Sequence, residues 1–297
     1  MYSFAMLRRF AGSAQIPGKQ VAPVVDGTPR IDMFGFLRSA RKPDAPSLRQ
    51  IGIDWGVESI TAVLLDVEGH PLDLRNTQVI SDDPDEFQTL PALLADWPVA
   101  DSRIVMSLTR DYLIRTLDLP EVTRDTIVAE VRQGLPYPSR EAEFAWHSLS
   151  SQRTVAVAYP RSLLLALSEI LLPLGARSVH FEAIEFAQAR LLESQQLPSA
   201  LFTVYQDEVQ FTLVSSTDFE SLTQSTAFVG LEAMVQLGLT RWKERGQDRP
   251  LKLVTNLSPD YMERLSDLPC ERLEDEALAF HLALSPEGPH CFTALSQ

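Results

Sequence analysis

One short stretch of this sequence holds most of the side chains that could do chemistry. Asp54-Trp55-Gly56 closes a short apolar run, Ile51-Gly52-Ile53, and Ser59 follows it closely. Such a turn offers a carboxylate, a glycine that lets backbone N–H groups approach a ligand, and a hydroxyl. The same residues can serve a plain strand end, with Asp54 capping a turn and Gly56 at positive φ. Other chemistries are poorly represented. Two cysteines, Cys270 and Cys291, are too few for a disulfide framework or a thiolate metal site. The five histidines show no HExxH or paired ligand spacing. His147 and His180 are expected as polar core or surface residues, and the acidic Ser81–Glu86 as a turn carrying helix N-terminal charge.

The elements that would position these groups follow from composition and pattern. The chain has 297 residues, 45% hydrophobic and 22% charged, enough for one large or two medium globular domains. Its net charge of −14 repels phosphate backbones and argues against nucleic-acid binding. Residues 1–49 carry eight Lys/Arg against three Asp, a net of +5, which leaves −19 on the remainder. Residues 1–49 are expected as a disordered leader, with Met33 as an alternative start. No run approaches the ~18 apolar residues of a membrane span, no signal peptide is expected, and the cysteine usage fits a reducing, cytoplasmic setting.

From Gln50 the pattern predicts strands at 51–56, 60–66 and 72–80, a helix over 84–97, and strands at 103–108 and 112–119. A helix capped by Thr123 and the connector Leu135-Pro136-Tyr137-Pro138 come next. Strands at 144–149 and 154–159, a helix over 161–174, a strand at 178–181 and a helix over 183–194 complete the first half. After Pro198 the pattern restarts, with strands at 201–205, 209–215 and 220–224, a helix over 230–245, a strand at 252–255 and helices over 259–266 and 273–284. Three strands followed by alternating helices and strands occur twice, which predicts an α/β protein with two mixed sheets.

Two segments carry a family resemblance. IGIDWGVESITAVLLD, residues 51–66, resembles the phosphate hairpin of the actin-like ATPase superfamily. RDYLIRTLDLPEVTRDTIVAEVRQGLPYPSREAEFAWHSL, residues 110–149, resembles the PilM family of type IV pilus assembly proteins: Arg110 starts a strand, Leu119-Pro120 follows, Thr123 caps a helix, and LPYP precedes the acidic strand from Glu141. The segment VAVAYPRSLLLALSEILLPLGARSVHFEAIEFAQARLL is similar to that family's strand–helix–strand–helix. The resemblance implies an actin-like, ribonuclease H-like duplicated fold of two lobes. The first lobe would span 50–195, with a small α+β subdomain inserted at about 100–147. The second, degenerate lobe would span 196–297.

The family's fold also implies a nucleotide site. Asp54 and Gly56, with Ser59, would hold ATP through Mg²⁺ in the first hairpin, the carboxylate on the metal and the backbone on phosphate. Val57, Glu58 and Thr61 depart from the pattern, and Glu58 adds negative charge beside any phosphate. The second hairpin, LFTVYQDEVQFTLV, has no Asp-x-Gly, and the expected adenine loop Thr255-Asn256-Leu257-Ser258-Pro259 has no glycine. The expectation is therefore a pseudo-ATPase with no catalytic residues and no other metal. Trp55 is expected in the core, and Phe144–His147 as alternately packed strand residues.

The resemblance further implies a scaffold at the cytoplasmic face of a bacterial inner membrane. It would bind the N-terminal peptide of a PilN-like bitopic partner, between the large part of the first lobe and the inserted subdomain. Pilus ATPases and the platform protein would be further partners, and basic Phe34–Lys42 would add attraction to anionic lipid. The alternatives are a GspL-, MshI- or HofM-like component of a related secretion, pilus or DNA-uptake system, and a small-molecule kinase of the same superfamily.

Overall fold

The computed structural model describes residues 48–56, 59–78, 89–108, 112–119, 121–148, 153–194, 199–205, 208–215, 218–225, 230–244, 252–256, 262–263, 270–274, 276–286 and 290–293. Residues 1–47 of the expected leader (Met33 among them), Val57 and Glu58, the Ser81–Glu86 turn, Arg110, Pro198, the Gln206-Asp207 turn and most of helix 259–266 lie outside the described residues; Arg49, expected as the leader's last residue, opens the first strand.

In chain order, β1 (Arg49–Trp55), β2 (Ser59–Leu65) and β3 (Pro71–Gln78) are followed by α1 (Thr89–Leu93) and β4 (Ser102–Leu108). Next come β5 (Leu113–Asp118), α2 (Arg124–Val131), β6 (Ala142–Ser148), β7 (Arg153–Pro160), α3 (Arg161–Leu171), β8 (Ser178–Ala183) and α4 (Ile184–Ser194). The second half holds β9 (Ser199–Tyr205), β10 (Glu208–Ser215), β11 (Asp218–Ser225), α5 (Leu231–Glu244), β12 (Lys252–Thr255), β13 (Cys270–Arg272), α6 (Ala277–Ala283) and β14 (Cys291–Thr293).

Two sheets share one plan. The first runs β14-β8-β4-β1-β2-β3 and the second β11-β10-β9-β12-β13. In each, an antiparallel three-strand meander is extended from its first strand by two parallel strands: β1 by β4 and β8, and β9 by β12 and β13. The twofold pattern in the sequence is thus a duplicated mixed sheet. Strands β1, β2 and β4 read as continuous apolar runs because both faces of the sheet are covered. On one face Ile51, Ile53, Ile104 and Met106 pack with Leu90 of α1 and Leu164 and Leu167 of α3. On the other, Val105 packs with Leu278 and Leu282 of α6 and Ile184 of α4.

The small sheet has the order β5-β7-β6. Its core, from Ile127 and Val131 to Phe144 and Ala158, lies under α2. Thr123 caps α2 as its sequence predicts: its Oγ1 accepts from the Thr126 N–H at 3.2 Å, and Thr126 Oγ1 accepts from the Thr123 N–H at 3.0 Å.

The structure redraws several expected boundaries. The small sheet does not coincide with the inserted unit expected at about 100–147. Strand Ser102–Leu108 lies inside the first sheet between β1 and β8, while Arg153–Pro160 is the central strand of the small sheet. Both are apolar strands of similar length, so only pairing tells them apart. Nor does all of 196–297 pack with the second sheet. Helix α6 contributes to the cores on β1, β2 and β4, and β14 pairs antiparallel with β8. The helix expected over 84–97 is described only at Thr89–Leu93, and Asp96, at φ 68°, stops its continuation. Strands β13 and β14 have three residues each, too few to show a period.

Candidate functional site

Asp54 stands near the C-terminal end of β1, where the parallel strands β1, β4 and β8 end and where α/β sheets hold their ligands. The turn beyond it is tight: the Gly56 N–H donates to Ser59 O at 2.9 Å. The turn thus sets Ser59 against Gly56, two residues beyond Asp54. Gly56 differs from expectation in one respect, because its φ is not positive; only Gly69 and Gly175 are left-handed among the described glycines. What the turn requires there is closeness, since a Cβ on Gly56 would lie 3.1 Å from Ser59 O. The residue opposite Asp54 across the hairpin is Thr61, whose Oγ1 accepts from Asn76 Nδ2 at 2.9 Å. Trp55 is buried in the first core, as its sequence context predicts.

Ser107 on β4 completes this corner. Its Oγ donates to Asp54 Oδ1 at 2.9 Å and accepts from the Trp55 N–H at 2.8 Å. Burial pushes the Asp54 carboxyl up to about 6, with the Ser107 hydrogen bond pulling the other way. A carboxylate held at such a cost at neutral pH suits a hydrated cation or a proton. In the bare protein, then, Asp54 favours folding only in its protonated form. That contribution is complete below the ordinary aspartate value and is lost as pH rises through about 6. Asp54→Asn should accordingly raise stability at pH 7.5 by about 1–2 kcal/mol, less than the full worth of the shift because the side chain keeps some solvent contact. At pH 4 wild type and variant should unfold together, as read by urea titration at both pH values.

The second hairpin pairs Tyr205 with Glu208 across its turn. Beyond the end of β12, Asn256 takes the place of a strand residue: its Oδ1 accepts from the Val204 N–H and its Nδ2 donates to Val204 O, both at 2.8 Å. The described start of the expected adenine loop is thus tied to β9.

Between the sheets lies a buried polar layer absent from the sequence reading. Thr212 Oγ1 donates to Gln188 Oε1 at 2.8 Å, Gln188 Nε2 to Gln210 Oε1 at 3.0 Å, and Tyr112 O–H to Glu185 Oε1 at 2.5 Å. Its signal was available as Glu185 and Gln188 three apart on a helix and Gln210 and Thr212 two apart on a strand. Thr116 Oγ1 donates to Phe219 O at 3.2 Å and links the small sheet to the second one.

Among the described residues, two groups could offer a metal three ligand atoms each. Asp66, Glu68 and His70 share an exposed turn in which Asp66 Oδ1 accepts from the N–H groups of both Glu68 and His70. Glu182, His290 and Cys291 meet in the interior. Both oxygens of Glu182 already take a bidentate contact from Arg190, at 2.6 and 3.0 Å, and burial pushes the Cys291 thiol up to about 12. This cluster has the chemistry of an ion pair set in the core. His147 and His180 are both buried, and burial takes His147 down to about 4. Phe144 and Trp146 pack towards α2, and Ala145 into the first core, the alternation expected of that strand.

No protein-family profile matches the sequence, and no curated protein matches it. Solved structures do. A PilM–PilN type IV pilus biogenesis complex aligns with a TM-score of 0.59 at 12% identity, over 80% of this chain and 98% of that one. A Bacteroides thetaiotaomicron protein of unknown function with an actin-like ATPase fold aligns at 0.55 and 11% identity, over 80% and 96%. The cytoplasmic domain of EpsL, an inner-membrane component of the Vibrio cholerae type II secretion system, aligns at 0.53 and 12% identity, over 84% and 98%. With two sheets of one duplicated plan and these structural relatives, the chain has the fold of the actin-like ATPases.

Proposed function

We propose that this protein is a cytoplasmic scaffold of a type IV pilus inner-membrane assembly. In this reading it binds the N-terminal peptide of a PilN-like bitopic partner and has lost nucleotide turnover. The observation that carries the reading is the combination at the first hairpin. Asp54 is half-buried and hydrogen-bonded by Ser107, Thr61 lies opposite it bonded to Asn76, and the second hairpin has no Asp-x-Gly. Such a site has lost most of what phosphate transfer requires while keeping the fold that positioned it. The similarity to the PilM–PilN complex supports the choice of partner. The similarity to the EpsL domain favours, as a second reading, the same role in a related secretion system. Among the described residues no helix is long and apolar enough to cross a membrane, which is compatible with peripheral attachment through partners.

The test is calorimetry on the full chain. We expect no phosphate release from ATP·Mg²⁺ and no saturable binding at millimolar nucleotide, while the cytoplasmic peptide of the PilN-like protein from the same organism binds saturably. Saturable nucleotide binding lost in Asp54→Ala would restore ATP and Mg²⁺ as ligands of Asp54, Gly56 and Ser59. Failure of the peptide to bind would remove the scaffold reading.

A further inference from the structure

A groove of about 710 Å³ opens between the first half of β3 and the segment running from β13 into α6. Strand β3 is the last strand of the first sheet's order, and residues Pro71–Leu74 are exposed. Leu72 and Leu74 are 55% and 47% exposed, the two most exposed large hydrophobic residues of the described chain. The direction of Leu74 follows from register. Leu74 lies opposite Val63 on β2, and Val63 packs against Ala279, Ala283 and Phe280 of α6. The register shifts between Leu64 and Leu65 and leaves Leu72 without a partner on β2, so alternation alone does not place it; Leu72 and Leu74 both line the groove beside Val63 and Phe280, and carry the apolar surface under α6 outward to the sheet edge.

The facing wall is acidic. Glu271, Glu274 and Glu276 line it with one base, Arg272. His281 adds no charge at neutral pH, because burial and the nearby Arg190 take it down to about 4. Asp73 is occupied locally: it accepts from Trp97 Nε1 at 2.8 Å and from its neighbour's Leu74 N–H at 2.9 Å. That second contact blunts the strand edge at Leu74, so recognition here would run through side chains rather than by adding a strand.

We infer that this groove docks a partner protein through an extended basic segment, with apolar side chains at alternate positions on Leu72 and Leu74 and Lys or Arg facing the glutamates. The charge of the rim and the two exposed leucines lining the groove set that chemistry. No residue of the small sheet lines the groove, so the inference concerns a second docking face and stands apart from the first partner's binding.

The experiment uses the full chain and two fluorescent ten-residue probes, one alternating leucine with lysine and one alternating leucine with glutamate. Anisotropy should show saturable binding of the lysine probe only. Leu72→Ser with Leu74→Ser should weaken it at least tenfold, and so should Glu271→Gln with Glu274→Gln, both with unchanged circular dichroism. Equal binding of the glutamate probe, or unchanged affinity in both variants, overturns the proposal. So does a concentration-dependent dimer abolished by Leu72→Ser, which would give the groove to a second copy. Slow hydrogen exchange over 71–78 that speeds up in Phe34→Ser with Phe36→Ser would assign the groove to this chain's own leader and overturn it as well. None of these outcomes bears on the PilN-like peptide, whose binding is measured separately.

Discussion

Arg190→Ala should lower the unfolding free energy by about 3–5 kcal/mol, the range for stripping one partner from a buried ion pair. The position explains the size. Glu182 is fully buried near the end of β8, and Arg190, 8% exposed, reaches back from α4 to hold it with Nη1 at 2.6 Å and Nη2 at 3.0 Å. Arg190 Nε also donates to His281 O at 3.0 Å, so the same guanidinium ties α6 to α4. Alanine removes all of these contacts and leaves a carboxylate in the core. Burial alone would raise the Glu182 carboxyl; the Arg190 charge and hydrogen bonds outweigh it and hold the group below the ordinary glutamate range. A depressed carboxyl stabilises the fold above its unfolded value, and that contribution is lost as pH falls through its folded one. In the variant burial acts unopposed and Glu182 takes up a proton more easily. The gap between wild type and variant should therefore be widest at neutral pH and shrink in acid. Urea unfolding at pH 7 and pH 4 measures both. The pair Glu182→Gln with Arg190→Met should cost less than Arg190→Ala alone, because it leaves no buried charge behind. Equal losses for the two variants would mean that packing, not charge, sets the cost.

The fold was legible where long apolar runs met local turns. Strand β12 was expected at the residues where it lies, and the Asp54, Gly56 and Ser59 turn could be read because its hydrogen bond closes within four residues. Contacts decided by pairing over distance could not. Ser107 meets Asp54 only because β4 runs parallel to β1 in a register that sets Ile53 beside Met106. The sequence marks Ser107 merely as one polar residue in an apolar strand. Likewise, Glu182 and Arg190 straddle a strand-to-helix junction, where neither the period of two nor that of 3.6 applies. The return of α6 and β14 to the first sheet was hidden for a similar reason. A short amphipathic helix fits either lobe by pattern, and what selects the first is the shape of β1 at one residue.

That residue is Gly52, and Gly52→Ala should be among the most damaging single-methyl changes available. Gly52 lies on the face of β1 towards α6, between the inward-facing Ile51 and Ile53. A Cβ there would sit 1.8 Å from Ala279 O, 2.5 Å from Ala283 N and 2.9 Å from the Ala279 carbonyl carbon. All three are backbone atoms of α6, so no rotamer change relieves the clash; the helix itself must move. Ala279 and Ala283 are both fully buried, small residues that admit the close approach from the helix side. Backing α6 away would open its contacts with Val63 and Leu65 beneath it and strain the Arg190–His281 tie beside it. Overpacking of a well-filled core costs about 1–3 kcal/mol, and a rigid backbone neighbour puts this site at or above the upper end. Thermal unfolding should show the loss, and hydrogen exchange should localise it, with amides of 277–283 exchanging faster than those of β9–β12. Uniform acceleration across both sheets would mean that α6 is part of a single cooperative unit. An unchanged melting temperature would mean that α6 does not pack on Gly52 in solution.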